Sequence, residues 1–204
     1  AVYAKPVLGI NSGRIGYMAA LEADEIDLLD KLVNGDYDIE KRMMLKTVVS
    51  SDPEKVYYSL NDTVVSRDSV DYALDLILSN CDKQFMNLRA DGLIVSTPTG
   101  STAYAMSAGG PVTDPSIECM IAVPICPISL YSKGFVLSAE SVMKISFKSI
   151  NERKAYVTFD GRNGICLSDN DTVTISRADD VVTRLIKIKN DSFYDVLKNK
   201  ISAI

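Results

Sequence analysis

DGLIVSTPTGSTAYAMSAGGP, residues 91–111, is the stretch on which the reading of the whole chain turns. Leu93, Ile94 and Val95 form a short apolar run of the kind that makes a buried strand, and Thr97-Pro98-Thr99-Gly100 follows as a turn signal. Ser101 and Thr102 are good helix N-caps, Ala103 to Ala108 is a small-residue run, and Gly109-Gly110-Pro111 is a helix stop. The expectation is strand, polar turn, short helix. Such a turn gathers hydroxyls and backbone N–H groups at the positive end of a helix, and its Ala, Ser and Gly residues let a ligand approach the backbone. Two readings are open at this level: a nucleotide-binding turn, or a connection that carries no chemistry.

Outside this stretch, composition narrows the function classes. A chain of 204 residues with 47% hydrophobic side chains can bury a core and suits one domain, or one domain plus part of another. No apolar run is long enough to span a bilayer and no basic-then-apolar leader is present, so the expectation is a soluble, cytoplasmic protein. A net charge of −5 argues against a general nucleic-acid or anionic-membrane binder and leaves room only for a local anion site. The four cysteines are scattered without a C-x-x-C pair, which indicates neither a zinc site nor a disulfide framework. With no histidine in the chain, Ser-His-Asp and Cys-His catalysis are excluded, and acid–base work falls to carboxylates. That residue set suits phosphoryl transfer, which depends mainly on positioning and on Mg²⁺.

Along the chain, Pro6 to Ile10 reads as a buried strand and Asn11 to Met18 as a turn with glycines at 13 and 16. Residues 22–34 place Ile26, Leu29 and Leu32 or Val33 at helical spacing, closed by Gly35. From Lys41 the period changes to that of strands: MLKTVVS, KVYYSL, TVVSR and YALDLILSN, then VMKISFK, KAYVTFD, GICL, TVTISR and VTRLIKI, with Asp160-Gly161 as a hairpin signal. SFYDVLKNKI returns to a helical period at the end. The fold class expected is α+β, mainly β. Asn61-Asp62 sits between two β runs; it is an ordinary turn dipeptide, or a carboxamide that can meet a base edge beside a carboxylate that can accept from ribose hydroxyls.

Residues 91–111 closely resemble the DGL-x-x-STPTGSTAY-x-x-SAGGP signature of the NAD kinases, which phosphorylate the 2′-hydroxyl of the adenosine ribose of NAD. Further matches run from about residue 7 to the C-terminus. The glycine turn resembles GIN-x-G-x-LGF with Tyr17 in place of Phe, LND at 60–62 resembles LN-E/D, RMML at 42–45 resembles the opening of the family's C-terminal domain, and Asp160-Gly161 matches a strand end. The chain departs from the pattern at Ile128, where His is common, and at Ser138-Ala139, where Pro is usual. The resemblance implies a β-sandwich-like NAD-binding domain over residues 41–188, a remnant of an α/β domain over 1–40, and a C-terminal helix over 189–204 that returns to the latter. It implies Asn61, Asp62, Thr102, Ala103 and Tyr104 around the adenosine, and Asp91, Ser107 and Asp160 toward the nicotinamide riboside. Arg89 is placed toward a phosphate, and Tyr17 where a ring can stack on the base.

The same resemblance implies NAD and ATP (or polyphosphate) as substrates, Mg²⁺ or another divalent cation bridging the donor phosphates, no metal held by side chains, and a homodimer or homotetramer whose sites borrow residues from a neighbour. The family also carries a Gly-Gly-Asp-Gly stretch whose Asp is taken to activate the ribose hydroxyl, and these 204 residues contain none. The expectation is a truncated kinase, inactive by itself, with no catalytic base among the present residues. The alternatives are a natural dinucleotide-binding module without turnover and, from fold kinship alone, a lipid kinase.

Overall fold

The computed structural model describes residues 5–12, 19–148 and 154–201. The chain divides into two compact units, residues 43–179 and residues 1–42 with 180–204.

The 43–179 unit is two six-stranded antiparallel sheets. One has the order β5 (Asp52–Ser59), β4 (Leu45–Val49), β15 (Thr172–Arg177), β12 (Met143–Lys148), β7 (Leu74–Asn80), β8 (Lys83–Ala90). The other has β11 (Phe135–Ser138), β10 (Cys119–Ile125), β9 (Gly92–Ser96), β6 (Asp62–Arg67), β13 (Ala155–Phe159), β14 (Arg162–Leu167). Alternation explains the packing. Leu45, Leu74, Leu76, Leu78, Met143, Ile145, Val173 and Ile175 of the first sheet and Val65, Leu93, Val95, Met120, Val157 and Phe159 of the second form one buried core. Each such side chain stabilises the sandwich by about 1.5–3 kcal/mol relative to exposure. Tyr57 and Phe159 stack across the two sheets with centroids 4.3 Å apart.

β9 is buried on both faces, which is why LIV reads as a continuous apolar run. Leu93 and Val95 enter the core, while Ile94 joins Val64, Ile121 and Val123 in a smaller cluster closed by Ala105. Ala105 belongs to α2 (Tyr104–Ser107), so the turn that follows β9 folds back onto the outer face of its own sheet. The expected strand, turn and helix are present, but the helix is four residues long and is preceded by a 3₁₀ turn, Thr99–Thr102. Strands β2 (Leu21–Glu22), β3 (Asp38–Arg42), β8, β10 and β11 go beyond those expected. β10 carries a proline at 124, and β8 mixes charged and amide residues, so neither shows a clear apolar period.

In the other unit β1 (Ile10–Asn11) lies parallel to β2 (Leu21–Glu22), and β3 pairs antiparallel with β16 (Thr183–Lys187). Val7 bridges to Leu185. The strand VTRLIKI therefore pairs within this unit. The helix expected over 22–34 begins later, as a 3₁₀ turn at Ile26–Leu29 that continues into α1 (Asp30–Asn34), because Leu21 and Glu22 are paired as a strand. Gly35, at φ 73°, ends it as expected. α3 (Phe193–Ile201) opens on reciprocal bonds, Ser192 N–H to Asp195 Oδ2 at 3.0 Å and Asp195 N–H to Ser192 Oγ at 3.2 Å. Among the described residues no helix is long and apolar enough to cross a membrane.

Candidate functional site

The site is built where the β5–β6 turn meets the turn after β9. Asp62 opens β6 opposite Ser96, the last residue of β9, so Leu60 and Asn61 lie against Thr97. Thr97 donates its N–H to the Asn61 carbonyl at 2.9 Å and its hydroxyl to the Leu60 carbonyl at 2.6 Å; Ser96 Oγ donates to the Asn61 carbonyl at 3.1 Å. Gly100 completes the clamp: a Cβ there would run into the Asn61 carbonyl, so only glycine admits this approach.

The polar turn uses several of its N–H groups internally. The Gly100 N–H is taken by Thr97 Oγ1 at 3.0 Å, that of Ser101 by the Pro98 carbonyl at 3.2 Å, and that of Ala103 by the Gly100 carbonyl at 2.9 Å. Ser101, expected as a cap, is buried; its hydroxyl donates to the Pro98 carbonyl at 2.6 Å and accepts from Thr113 N–H at 3.0 Å. Thr102 Oγ1 donates to the Thr99 carbonyl at 3.3 Å. A four-residue helix has too few aligned peptides for a useful dipole, and a 3₁₀ turn closes its own donors. The turn serves as a platform: Ala103 is half-buried on it, Ser107 is exposed, and Tyr104 is 47% exposed with its ring open to solvent.

Two groups facing this platform lack partners. Asn61 Oδ1 is buried and accepts no hydrogen bond. Asp62 is buried, 5% exposed, and among the described residues no hydrogen bond reaches its carboxylate. Burial first, and the charge of Asp160 second, push its carboxyl from 3.8 up to about 6. Asp160 has the opposite surroundings: its Oδ1 accepts the N–H groups of Asn61 at 2.7 Å and Asp62 at 3.1 Å, and its Oδ2 that of Leu60 at 2.9 Å. Residue-by-residue reading gave no sign of this triple contact, since Asp160 lies about a hundred residues along the chain and arrives through the pairing of Phe159 with Thr63.

Asp91 and Arg89 lie elsewhere. Asp91 precedes β9 and Thr97 follows it, so they are about 20 Å apart along the strand. Asp91 Oδ2 accepts from Arg67 Nη2 at 2.7 Å, and Arg67 Nη1 also donates to the carbonyls of Val70 at 2.6 Å and Tyr72 at 2.8 Å. Nothing in the sequence marks Arg67 as the partner of Asp91, although it closes the LNDTVVSR run at the far end of β6. Arg89 faces Asp75 at 3.6 Å, and its carbonyl accepts the Ile128 N–H at 3.0 Å. Tyr17 lies outside the described residues.

Against known proteins, residues 60–188 match the ATP-NAD kinase C-terminal domain. The chain belongs to the NAD kinase family. The NAD kinase of Caldanaerobacter subterraneus subsp. tengcongensis is 38% identical over 205 residues, covering 99% of this chain and 72% of that one. That of Acetivibrio thermocellus is 37% identical over 98% of this chain and 70% of its own. Among solved structures, an NAD kinase from Archaeoglobus fulgidus in complex with ATP superposes with a TM-score of 0.78 at 28% identity, over 98% of this chain and 74% of that one. Yeast NADH kinase complexed with NADH superposes at 0.84 with 21% identity, over 97% and 60%, a likeness of fold. The mainly β architecture expected from the sequence is that of this kinase family.

Proposed function

We propose that this protein binds NAD at the Asn61–Tyr104 platform and, in its active form, phosphorylates the 2′-hydroxyl of the adenosine ribose to give NADP, with ATP or polyphosphate as donor. The observation that carries this reading is the buried, unpaired Asn61 Oδ1 next to the Asp62 carboxylate, to which no described residue donates, on the turn that packs against the one leading to exposed Tyr104. Leaving such groups unpaired costs about 1–3 kcal/mol each, and a ligand with an amine edge and hydroxyls relieves that cost. An adenosine has both. Thr102, Ala103 and Ser107 line the same platform and give the nucleotide a surface of small side chains.

Mg²⁺ is required by the chemistry of phosphoryl transfer, yet among the described residues no group of three or more carboxylates or thiolates could hold it. One or two carboxylates with substrate phosphates are enough for Mg²⁺, and of the two here, Asp62 and Asp160, the latter accepts backbone donors. In this reading the cation comes with the donor phosphates rather than being held by these side chains, and the residues here bind and orient the dinucleotide.

Asp91, Arg89 and Ile128 form a second cluster beside exposed Leu130 and Tyr131. Their distance from Asn61 supports a homo-oligomer in which this cluster completes the nicotinamide end of a neighbouring copy's site. The Gly-Gly-Asp-Gly stretch tied to activation of the ribose hydroxyl is not among these residues, so on this proposal the 204-residue chain binds NAD and transfers no phosphate at an appreciable rate. Titrating NAD by calorimetry, and following NADP with an NADP-specific dehydrogenase, tests both halves. Absence of NAD binding removes the platform reading; turnover by the 204 residues shows that a carboxylate among them is the base.

A further inference from the structure

The β13–β14 hairpin turns on two residues with positive φ, Asp160 at 48° and Gly161 at 69°. Asp-Gly is a common pair for such a turn, since Asp tolerates this region, and what sets Asp160 apart is where its side chain goes. The left-handed turn aims the carboxylate at three consecutive N–H groups of another element, at 2.9, 2.7 and 3.1 Å. Successive backbone donors converging on one anion form a nest, and here a side chain fills it. The backbone adds one more tie, from Asp160 N–H to the Asp62 carbonyl at 3.0 Å.

We propose that Asp160 is a positioning residue, an internal anion that holds the Leu60–Asp62 backbone so that the Asn61 carboxamide and Asp62 carboxylate stand ready for the nucleotide. The role rests on the NAD-binding reading given above. It goes beyond a ligand contact, because both carboxylate oxygens already accept backbone N–H groups of the protein. It also places two carboxylates beside each other, and the raised Asp62 carboxyl reflects its burial first and that closeness second. A fold gains nothing from such a like-charge pair alone; the gain lies in fixing a segment whose Asn61 Oδ1 and Asp62 carboxylate receive no hydrogen bond from the described residues.

The test uses the full chain in two variants. Asp160→Gly removes the carboxylate and suits the positive φ, so the hairpin keeps its turn. Asp160→Asn keeps one acceptor oxygen for the Asn61 and Asp62 donors and loses the one facing Leu60. Amide hydrogen exchange of the nucleotide-free protein and the Kd for NAD are measured for each. Asp160→Gly is expected to speed exchange at Asn61 and Asp62 and to raise the Kd for NAD, each by about tenfold or more, with the amides of Ile94 and Val157 unchanged and Asp160→Asn intermediate in both. Unchanged exchange at Asn61 and Asp62 overturns the proposal. So does faster exchange with the parent's NAD affinity, or an equal loss of affinity in both variants with exchange unmoved, which marks a direct contact. A parent protein that binds no NAD sinks the platform reading, and this role with it, whatever the exchange rates.

Discussion

Asn61 and Asp62 are adjacent, yet the strand geometry gives them different work. Asn61 stands in the turn, its main-chain carbonyl held by Thr97 N–H and Ser96 Oγ, so its side chain is the part left to offer. Asn61→Ala and Tyr104→Ala are each expected to weaken NAD binding by about 1–3 kcal/mol with little change in melting temperature, the first through a lost hydrogen bond and the second through a lost stacking face. Calorimetric titration at matched stability decides this, and parental affinity in either variant removes that residue from the site. Asp62 has a pH signature of its own. Its folded carboxyl titrates near 6 against 3.8 in the unfolded chain, so between these values the folded state holds more proton and stability falls as pH rises. Below pH 4 this penalty is absent. Asp62→Asn is therefore expected to be more stable than the parent at pH 7 by about 1–3 kcal/mol, with the difference vanishing near pH 4. Urea unfolding at the two pH values checks the sign.

The elements that carry the site are tied together by buried hydroxyls. Thr47 on β4, Thr63 on β6 and Ser59 at the end of β5 are fully buried; Thr63 Oγ1 lies 2.9 Å from Thr47 Oγ1 and 3.2 Å from Ser59 Oγ. This polar line crosses between the two sheets at the base of the turn that bears Asn61. Thr63→Val keeps the shape and leaves two hydroxyls short of a partner, for an expected loss of about 1–2 kcal/mol in urea unfolding. The Thr47→Val, Thr63→Val double variant should cost less than the sum of the singles, since removing both partners leaves less unsatisfied. Additive losses would show that the two hydroxyls do not act as a pair.

For the whole molecule the question is how two clusters about 20 Å apart along β9 serve one substrate. On the proposed homo-oligomer, a site shared between copies answers it. Mixing an Asn61→Ala protein with an Asp91→Ala protein and allowing subunits to exchange should restore part of the NAD affinity that each variant has lost, because a mixed assembly contains some sites with both clusters intact. A mixture with no gain in affinity, with subunit exchange verified, would assign each copy a site of its own. Arg67 gives a related expectation: it pins Asp91 while bonding the Val70 and Tyr72 carbonyls, so Asp91 is presented as a fixed carboxylate rather than a mobile one.

Local patterns were enough to read the β-rich middle of the chain, the strand and turn around Gly100, and family membership, because side-chain period, turn residues and a long motif are properties of consecutive residues. Leu93 to Val95 could be read as a buried strand from three letters. Other features depended on partners distant in sequence. The pairing of β16 with β3 and the meeting of Asp160 with Leu60, Asn61 and Asp62 both follow from strand register. Composition marked Asp160-Gly161 as a hairpin and Asn61-Asp62 as a turn, but each dipeptide alone is compatible with many surroundings. Only the tertiary structure made one the anchor of the other, because a carboxylate's role is set by which donors reach it, and those are brought together by the pairing of β6 with β13.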